Sequence, residues 1–173
     1  MNSEERRSSI LKLLENSNSP ISASALAGML SVSRQVIVGD VALLRSAGEK
    51  IIATPRGYLF GREHDGMIRQ IAVRHSPEEM EAELTAIIDN GCTVLDVIVE
   101  HPVYGQLTAP LQLSSRYDVS QFIKRCRDAD AQPLSKLTEG IHLHTLCCPD
   151  EAAYGRAAAN LKKLSFLLED AED

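Results

Sequence analysis

The chain has 173 residues, 44% of them apolar, and a formal net charge of −6. A chain of this length forms one domain or two small ones with a real hydrophobic core, and its acidic balance excludes a protein that coats nucleic acid over its whole surface. Its apolar runs are too short to cross a membrane and its first residues lack the apolar core of a secretory signal, so we expect a cytoplasmic protein. The four cysteines have no CxxC spacing, and we expect them to be reduced thiols.

Charge is distributed unevenly along the chain. Residues 1–62 carry eight Lys and Arg against five Asp and Glu, a net charge of +3, whereas the remaining residues carry ten against nineteen, a net charge of −9. A basic N-terminal third joined to an acidic body is typical of a small DNA-reading domain attached to a regulatory domain.

The N-terminal third has the pattern of a helix-turn-helix. Apolar residues recur at helical spacing over residues 4–16, and Ser22 is placed to cap a short second helix. After a three-residue turn, Ser33 caps a longer third helix whose first turn also carries Arg34 and Gln35. In this motif the first turn of the second of the paired helices faces the base edges of the major groove. We therefore predict that Ser33, Arg34 and Gln35 contact DNA.

The next two β-prone runs, residues 51–54 and 58–60, flank Pro55-Arg56-Gly57 and predict a hairpin with Arg56 at its tip. A helix-turn-helix followed by a hairpin is a winged helix, and an arginine at the wing tip suits a phosphate or a narrow minor groove. The alternative is a small helical domain in which Arg56 is an ordinary solvated turn residue.

Gly39 lies inside the proposed recognition helix, where glycine costs about 1 kcal/mol relative to alanine. It either allows close approach to DNA or leaves this helix marginal until DNA is bound.

Beyond a polar linker at residues 62–66, strand and helix signals alternate. Their order predicts a βαββαβ unit with a further C-terminal helix, the ferredoxin-like split βαβ arrangement, in which helices pack on one face of a sheet. The fold class is therefore α+β, with a winged helix over residues 1–61 and a regulatory domain over 67–173. The later elements are expected at residues 93–101, 106–113, 119–127, 141–148 and 149–168.

The strand over residues 141–148 directs His142 and His144 to one face. His75 ends the first strand of the same unit, and Glu83 lies at the edge of the apolar stripe of the following helix. If the fold brings the four together, three imidazoles and one carboxylate suit zinc, nickel or iron(II), with room for a water or an exogenous ligand.

Simpler roles are open for each of these residues. A single histidine at a strand end is more often a hydrogen-bonded polar residue than a metal ligand, and an edge glutamate usually reaches solvent. Cys147 and Cys148 could replace His75 as ligands, although neighbouring thiolates would crowd each other.

The chain resembles the three-histidine (3H) domain family, bacterial niacin-responsive repressors of NAD biosynthesis and niacin uptake. The resemblance covers nearly the whole chain. It is carried by the segments 32–45 and 53–58, by His75, by His-Pro-Val-Tyr-Gly at 101–105 and by His-Leu-His-Thr at 142–145.

That resemblance implies a repressor, not an enzyme, that binds operator DNA as a homodimer with nicotinic acid as co-repressor. It also implies a divalent transition metal held by His75, Glu83, His142 and His144. His101 matches the remaining family histidine, and we assign it with Tyr104 to the effector pocket. Gly39 departs from the longer polar residue expected at its position, which puts one operator contact in doubt.

Two other classes of function are compatible with the same residues. A metal-sensing repressor would use the same ligands but respond to the ion itself. A small metalloenzyme acting on nicotinate-like compounds would need an open coordination position and a nearby acid or base. Glu81 or His101 could be nominated for that role, but no recognised catalytic motif supports either.

Overall fold

The computed structural model describes residues 1–169 and divides into two compact units. The first comprises Met1–Glu63, and the second begins at His64. Each unit has its own hydrophobic core.

The N-terminal unit is a winged helix-turn-helix, as predicted. Asn2 begins the first helix with a capping box, and the side chains of Ser22 and Ser33 accept hydrogen bonds from the first turns of the second and third helices. The elements are α1 (Ser3–Glu15), α2 (Ala23–Leu30), α3 (Arg34–Ser46), β1 (Ile51–Thr54) and β2 (Gly57–Phe60).

The core of this unit draws on all three helices and the wing. Because its buried side chains recur on one face of each helix, the opposite face of α3 is left to solvent. The buried apolar residues are Ile10, Leu14, Leu26, Ala27, Ile37, Val41, Leu44 and Ile51. Within residues 1–169, no single helix combines the length and hydropathy that a membrane crossing requires; α2 and α3 meet both criteria only as a pair, bent by 104°.

The second unit follows the predicted order of strands and helices. Its elements are β3 (Met67–Arg74), a 3₁₀ turn (Pro77–Glu79) leading into α4 (Met80–Ile88), β4 (Thr93–His101), β5 (Gly105–Leu113), α5 (Arg116–Asp128), a 3₁₀ segment (Leu134–Thr138), β6 (Ile141–Cys148) and α6 (Glu151–Lys163). Helix α5 begins three residues before the predicted start, because Ser115 and Asp118 form a capping box. The 3₁₀ segment was not predicted.

The four strands form one antiparallel sheet in the order β3-β6-β4-β5. The last strand of the unit thus lies between the first and the second. Helices α4, α5 and α6 cover one face of the sheet and enclose a core that includes Val73, Leu84, Ile87, Leu146 and Leu161.

The last helix ends earlier than predicted, at Lys163 and not at residue 168. Ser165 then takes a left-handed conformation with φ of 61°, which turns the chain back along the open edge of β3. Arg74 donates its backbone N–H to the Phe166 carbonyl (2.8 Å), and Leu168 donates to the Ala72 carbonyl (3.0 Å). Burial of Phe166 against the core accounts for this extended segment. The spacing of apolar residues alone predicts that the helix continues here.

Two cysteines that we expected to be reduced are joined. Cys92 and Cys148, separated by 56 positions, form a disulfide between buried sulfur atoms. The expectation of four reduced thiols is therefore wrong for this pair, because strand pairing places Thr93 opposite Cys147 and so brings Cys92 beside Cys148. Cys126 and Cys147 are free thiols.

Candidate metal centre and DNA-binding face

The fold brings His75, Glu83, His142 and His144 together on the helix-covered face of the sheet. Val73 pairs with His142 and Ile71 with His144, so the end of β3 lies beside the start of β6. The Glu83 carboxylate lies 3.0 Å from His75 Nε2, 2.9 Å from His144 Nε2 and 3.5 Å from His142 Nε2. One potential ligand atom each from His75, Glu83 and His142 lies within 4.8 Å of the others.

Helix α4 positions Glu83 because its apolar face packs on the sheet. Leu84 and Ile87 are buried, and Glu83 lies on the same face, with 1% of its side chain exposed. The three histidine side chains are between 2% and 3% exposed. Since a buried carboxylate without a compensating charge costs several kcal/mol, this cluster requires a cation, which is either protons on the imidazoles or a metal ion.

Each histidine ring is oriented by a backbone carbonyl at its Nδ1 atom. His75 Nδ1 lies 2.7 Å from the Ser76 carbonyl oxygen, and His142 Nδ1 lies 2.8 Å from that of Gly140. His144 Nδ1 lies 2.6 Å from the Asp96 carbonyl oxygen. Because a carbonyl can only accept, each Nδ1 carries the proton and donates it. A ring that carries its only proton on Nδ1 presents the lone pair of Nε2, which is the arrangement of metal-bound histidines with a hydrogen-bonded outer nitrogen.

The atoms that meet in the middle of the cluster lack hydrogen bonds. Four atoms are buried without a hydrogen-bond partner of acceptable geometry among residues 1–169, despite the short distances between them: Nε2 of His75, Nε2 of His144 and both carboxylate oxygens of Glu83. Buried polar atoms are normally satisfied, so atoms that converge unsatisfied on one point indicate a site for a cation. Three imidazole nitrogens and one carboxylate fit a divalent transition metal.

The same proximity shifts the acid–base behaviour of the cluster. Burial acts to raise the pKa of the Glu83 carboxyl, but the charge of His144 and the contacts with all three histidines hold that pKa well below its ordinary value. Burial acts to lower the pKa of His75. The contact with Glu83, the negative charge of Glu83 and the Ser76 carbonyl outweigh burial, so the pKa of His75 is raised. Burial likewise acts to lower the pKa of His144. The negative charge of Glu83, the contact of His144 with Glu83 and the Asp96 carbonyl outweigh burial, so the pKa of His144 is raised.

Several residues that support the cluster were not found from the sequence. The Asp96 carbonyl is available to His144 because the pairing of β4 with β6 is irregular between Val94 and Ile98. Asp96 also accepts from the Thr145 backbone N–H through its side chain (2.9 Å). The carbonyls of Ser76 and Gly140 carry no residue-type signal, so only the fold identifies them.

Phe166 closes the cluster from the C-terminal side. Its ring centroid lies 5.3 Å from that of His75, and its side chain is buried. No sequence pattern associates this residue with the histidines, because their proximity depends on the reversal of the chain at Ser165.

The two predicted effector residues, His101 and Tyr104, lie close to each other but are not part of the cluster of metal-ligand candidates. His101 is the last residue of β4 and Tyr104 lies in the turn that leads to β5, with ring centroids 4.9 Å apart. His101 Nδ1 accepts hydrogen bonds from the backbone N–H groups of Val103 (3.1 Å) and Tyr104 (3.2 Å), and Tyr104 is largely exposed. His101 lines a cleft of about 460 Å³ in which none of the four predicted metal ligands takes part.

In the N-terminal unit, the predicted DNA contacts are on the exposed first turn of α3. The Ser33 side chain accepts from the Val36 backbone N–H (3.3 Å), so this residue acts first as a helix cap. Arg34 and Gln35 are exposed, whereas Arg56 at the wing turn is half-buried.

An ion pair that the sequence did not predict anchors α3 to α1. Asp40 is buried, and its carboxylate accepts from the Arg6 guanidinium at 2.6 Å and 3.3 Å, with Arg7 at 3.6 Å. Two nitrogens of the guanidinium thus contact the two oxygens of the carboxylate. Such a paired contact restricts the relative orientation of the two side chains as well as their separation. This contact orients the recognition helix within its unit.

Comparison with known proteins matches both units. An HTH domain model matches residues 6–59, and a 3H domain model matches residues 68–170. The chain is 47% identical over 167 residues to the probable transcription repressor NiaR of Thermotoga maritima, an alignment that covers 96% of this chain and 95% of that protein. It is 45% identical over 169 residues to the transcription repressor NadR of Bacillus subtilis, covering 95% and 94%.

Proposed function

Because the chain belongs to the family of transcription repressors that join a helix-turn-helix domain to a 3H domain, we propose that it represses genes of NAD biosynthesis or niacin transport in the cytoplasm. In this proposal nicotinic acid is the co-repressor and a divalent transition metal is bound in the regulatory unit. The predictions of a DNA-binding repressor and of a protein that is not an enzyme are confirmed by these relatives.

The observation that supports a metal best is the orientation of the three imidazoles. Carbonyls of Ser76, Gly140 and Asp96 hold each Nδ1–H, so that the Nε2 atoms face Glu83. His75, Glu83, His142 and His144 would hold the ion, which when bound supplies positive charge and a Lewis-acidic position for an anionic ligand. Zinc, nickel and iron(II) all accept this donor set.

Metal content tests the ligand set. His142→Ala and His144→Ala should each lose most of the metal that the purified wild-type protein carries, as measured by elemental analysis. His101→Ala is the matched control, since it makes the same change outside the cluster and should retain the metal. Full retention of metal by both of the first two variants would refute the assignment.

For DNA, we propose that a homodimer presents Arg34 and Gln35 to successive major grooves, with Ser33 capping the helix and Arg56 of the wing reaching the backbone or minor groove. Two recognition helices then stand about 34 Å apart, one turn of DNA. Nicotinate would favour that dimer geometry, which requires that its affinity differ between the DNA-bound and free arrangements.

Operator gel shifts with and without nicotinate test the co-repressor role. Tighter binding with nicotinate is expected, and equal affinity in both conditions would contradict the proposal. Titration with metal in the absence of nicotinate separates the metal-sensing alternative, in which the ion alone would control operator affinity. His101 and Tyr104 are proposed as effector contacts, and His101→Ala measures the contribution of His101 to nicotinate binding.

A further inference from the structure

We propose that the cleft at the mouth of the metal cluster binds the carboxylate of a small organic acid through Arg74 and Lys136. The identification of that acid with the co-repressor rests on the proposed function, whereas the site itself rests on the cleft and its charges. The site is separate from the cleft beside His101.

The cleft lies where β3 ends and β6 begins. Its volume is about 460 Å³, within the range of pockets that hold small molecules. His75 forms part of its wall, so a ligand placed there lies next to the metal cluster. The lining also includes Arg74, Ser76, Ser135, Lys136 and Glu139.

The cations of this cleft are available to a ligand. Neither Arg74 nor Lys136 forms an ion pair with any residue in the described range 1–169; Lys136 donates only to the neutral side chain of Gln132 (3.0 Å). They lie within residues 63–173, which carry a net charge of −9. With Glu139 as the one carboxylate of the lining, the cleft has a formal charge of +1, and a guanidinium is suited to holding a carboxylate through two hydrogen bonds.

The cleft beside His101 has the opposite character. It has a similar volume, but its charged lining residue is Glu100, and no lysine or arginine among the described residues lines it. A carboxylate entering that cleft would meet a like charge without a cation to offset it. Of the two clefts, the one with Arg74 and Lys136 is the better site for the carboxylate of an acid. This placement therefore competes with the assignment of the effector to His101 and Tyr104, and the variants below distinguish the two.

A ligand in this cleft would also be connected to the metal ligands through a short stretch of backbone. Lys136 lies in the 3₁₀ segment, whose Ser135 carbonyl accepts from the Gly140 N–H (2.8 Å). The Gly140 carbonyl in turn accepts from His142 Nδ1. Two hydrogen bonds thus link the 3₁₀ segment that carries Lys136 to one of the imidazoles. Arg74 immediately precedes His75.

Calorimetric titration of the metal-loaded, full-length protein with nicotinate, benzoate and nicotinamide tests this inference. We expect both acids to bind and the neutral amide to bind at least about tenfold more weakly, since a charge-assisted hydrogen bond is lost. Arg74→Gln and Lys136→Gln should each weaken nicotinate at least about tenfold while keeping the metal content of the wild type. Arg69→Gln on the same strand and Lys124→Gln on α5 make the same charge changes outside the cleft and should bind nicotinate as the wild type does.

The outcomes separate this inference from the proposed function. If the wild type binds nicotinate and both cleft variants bind it equally well, the inference is overturned while the co-repressor role stands. The same holds if His101→Ala abolishes binding and the cleft variants do not. If the cleft variants lose nicotinate but nicotinate leaves operator affinity unchanged, the site stands and the co-repressor role falls. Absence of binding of both acids to the wild type overturns the inference.

Discussion

The backbone of Gly140 lies directly against that of His75: a Cβ atom added to Gly140 would stand 2.4 Å from the His75 carbonyl oxygen. Gly140 also has a backbone φ of 92°, a value that residues other than glycine rarely adopt. We predict that Gly140→Ala destabilises the protein by about 1–3 kcal/mol through backbone strain alone and lowers metal affinity, because the strands that carry His75 and His142 must move apart. Thermal unfolding and a competition assay with a metal chelator measure the two effects.

Gly155→Ala is the matched control for this change. Gly155 lies in α6, where an added Cβ meets nothing within 4 Å, so the substitution should stabilise the helix by up to about 1 kcal/mol and leave metal affinity unaltered. A Gly140→Ala protein with wild-type metal affinity would show that the close backbone contact does not hold the cluster together.

The pH dependence of stability should differ between the metal-free and the metal-loaded protein. In the metal-free protein the pKa of Glu83 is lowered, so its contribution is present above the unfolded pKa of about 4.3 and is lost as pH falls through the lower folded value. The pKa values of His75 and His144 are raised, so their contribution is complete below about 6.5 and is lost as pH rises through the folded values. The cluster therefore stabilises the metal-free protein most between about pH 4.3 and 6.5.

Metal binding reverses the trend on the alkaline side. An ion replaces protons on the imidazoles, so its affinity should rise with pH by about tenfold per unit for each proton displaced. We predict that the difference in unfolding midpoint between metal-loaded and metal-free protein grows from pH 6 to pH 8, measured by calorimetry. A difference that stays constant over this range would mean that no proton is displaced from the cluster.

Local patterns were enough to nominate the four candidate ligands but not to predict their geometry. The two-residue period of a strand placed His142 and His144 on one face, and the helical stripe placed Glu83 at its edge. What the sequence could not give was that β6 lies between β3 and β4, because strand order depends on pairing between segments far apart in the chain. That order determines whether His75 meets the other two histidines.

The same distinction holds in the N-terminal unit. Ser22 and Ser33 were predicted as caps because an N-cap is a local hydrogen bond between near neighbours. The contact of Arg6 with Asp40 spans 34 positions and was not predicted, since either residue also suits a solvated helix surface. Interactions between distant segments are therefore what the structure adds to both units.

The disulfide gives a direct chemical test of the second unit. In denatured, unreduced protein we predict two thiols that react with Ellman's reagent, those of Cys126 and Cys147, and four after reduction. Reduction should lower the free energy of unfolding by about 2–4 kcal/mol, because the bond closes a long loop in the unfolded chain. Four reactive thiols before reduction, in protein purified without reductant, would show that Cys92 and Cys148 are not joined.

Gly39 lies on the exposed face of α3, four positions after Gln35. A Cβ added there meets nothing within 4 Å, so no packing in the free protein requires glycine. Glycine lowers the stability of the helix by about 1 kcal/mol relative to alanine, and packing within the unit does not explain why glycine is present. Close approach of the DNA backbone to the helix is a physical reason for tolerating that cost.

We accordingly predict that Gly39→Ala stabilises the free N-terminal unit by about 1 kcal/mol but weakens operator binding, because the added methyl group stands between helix and DNA. Hydrogen exchange of the α3 amides in the full-length protein measures the first effect, and gel shifts measure the second. Gly28→Ala is the matched control: Gly28 is exposed in α2, and its Cβ would also meet nothing within 4 Å. It should give a similar gain in helix stability without the loss in affinity. If Gly39→Ala binds the operator as tightly as Gly28→Ala does, glycine is not needed for close approach to DNA. The alternative then holds, in which Gly39 leaves the recognition helix marginally stable until DNA is bound.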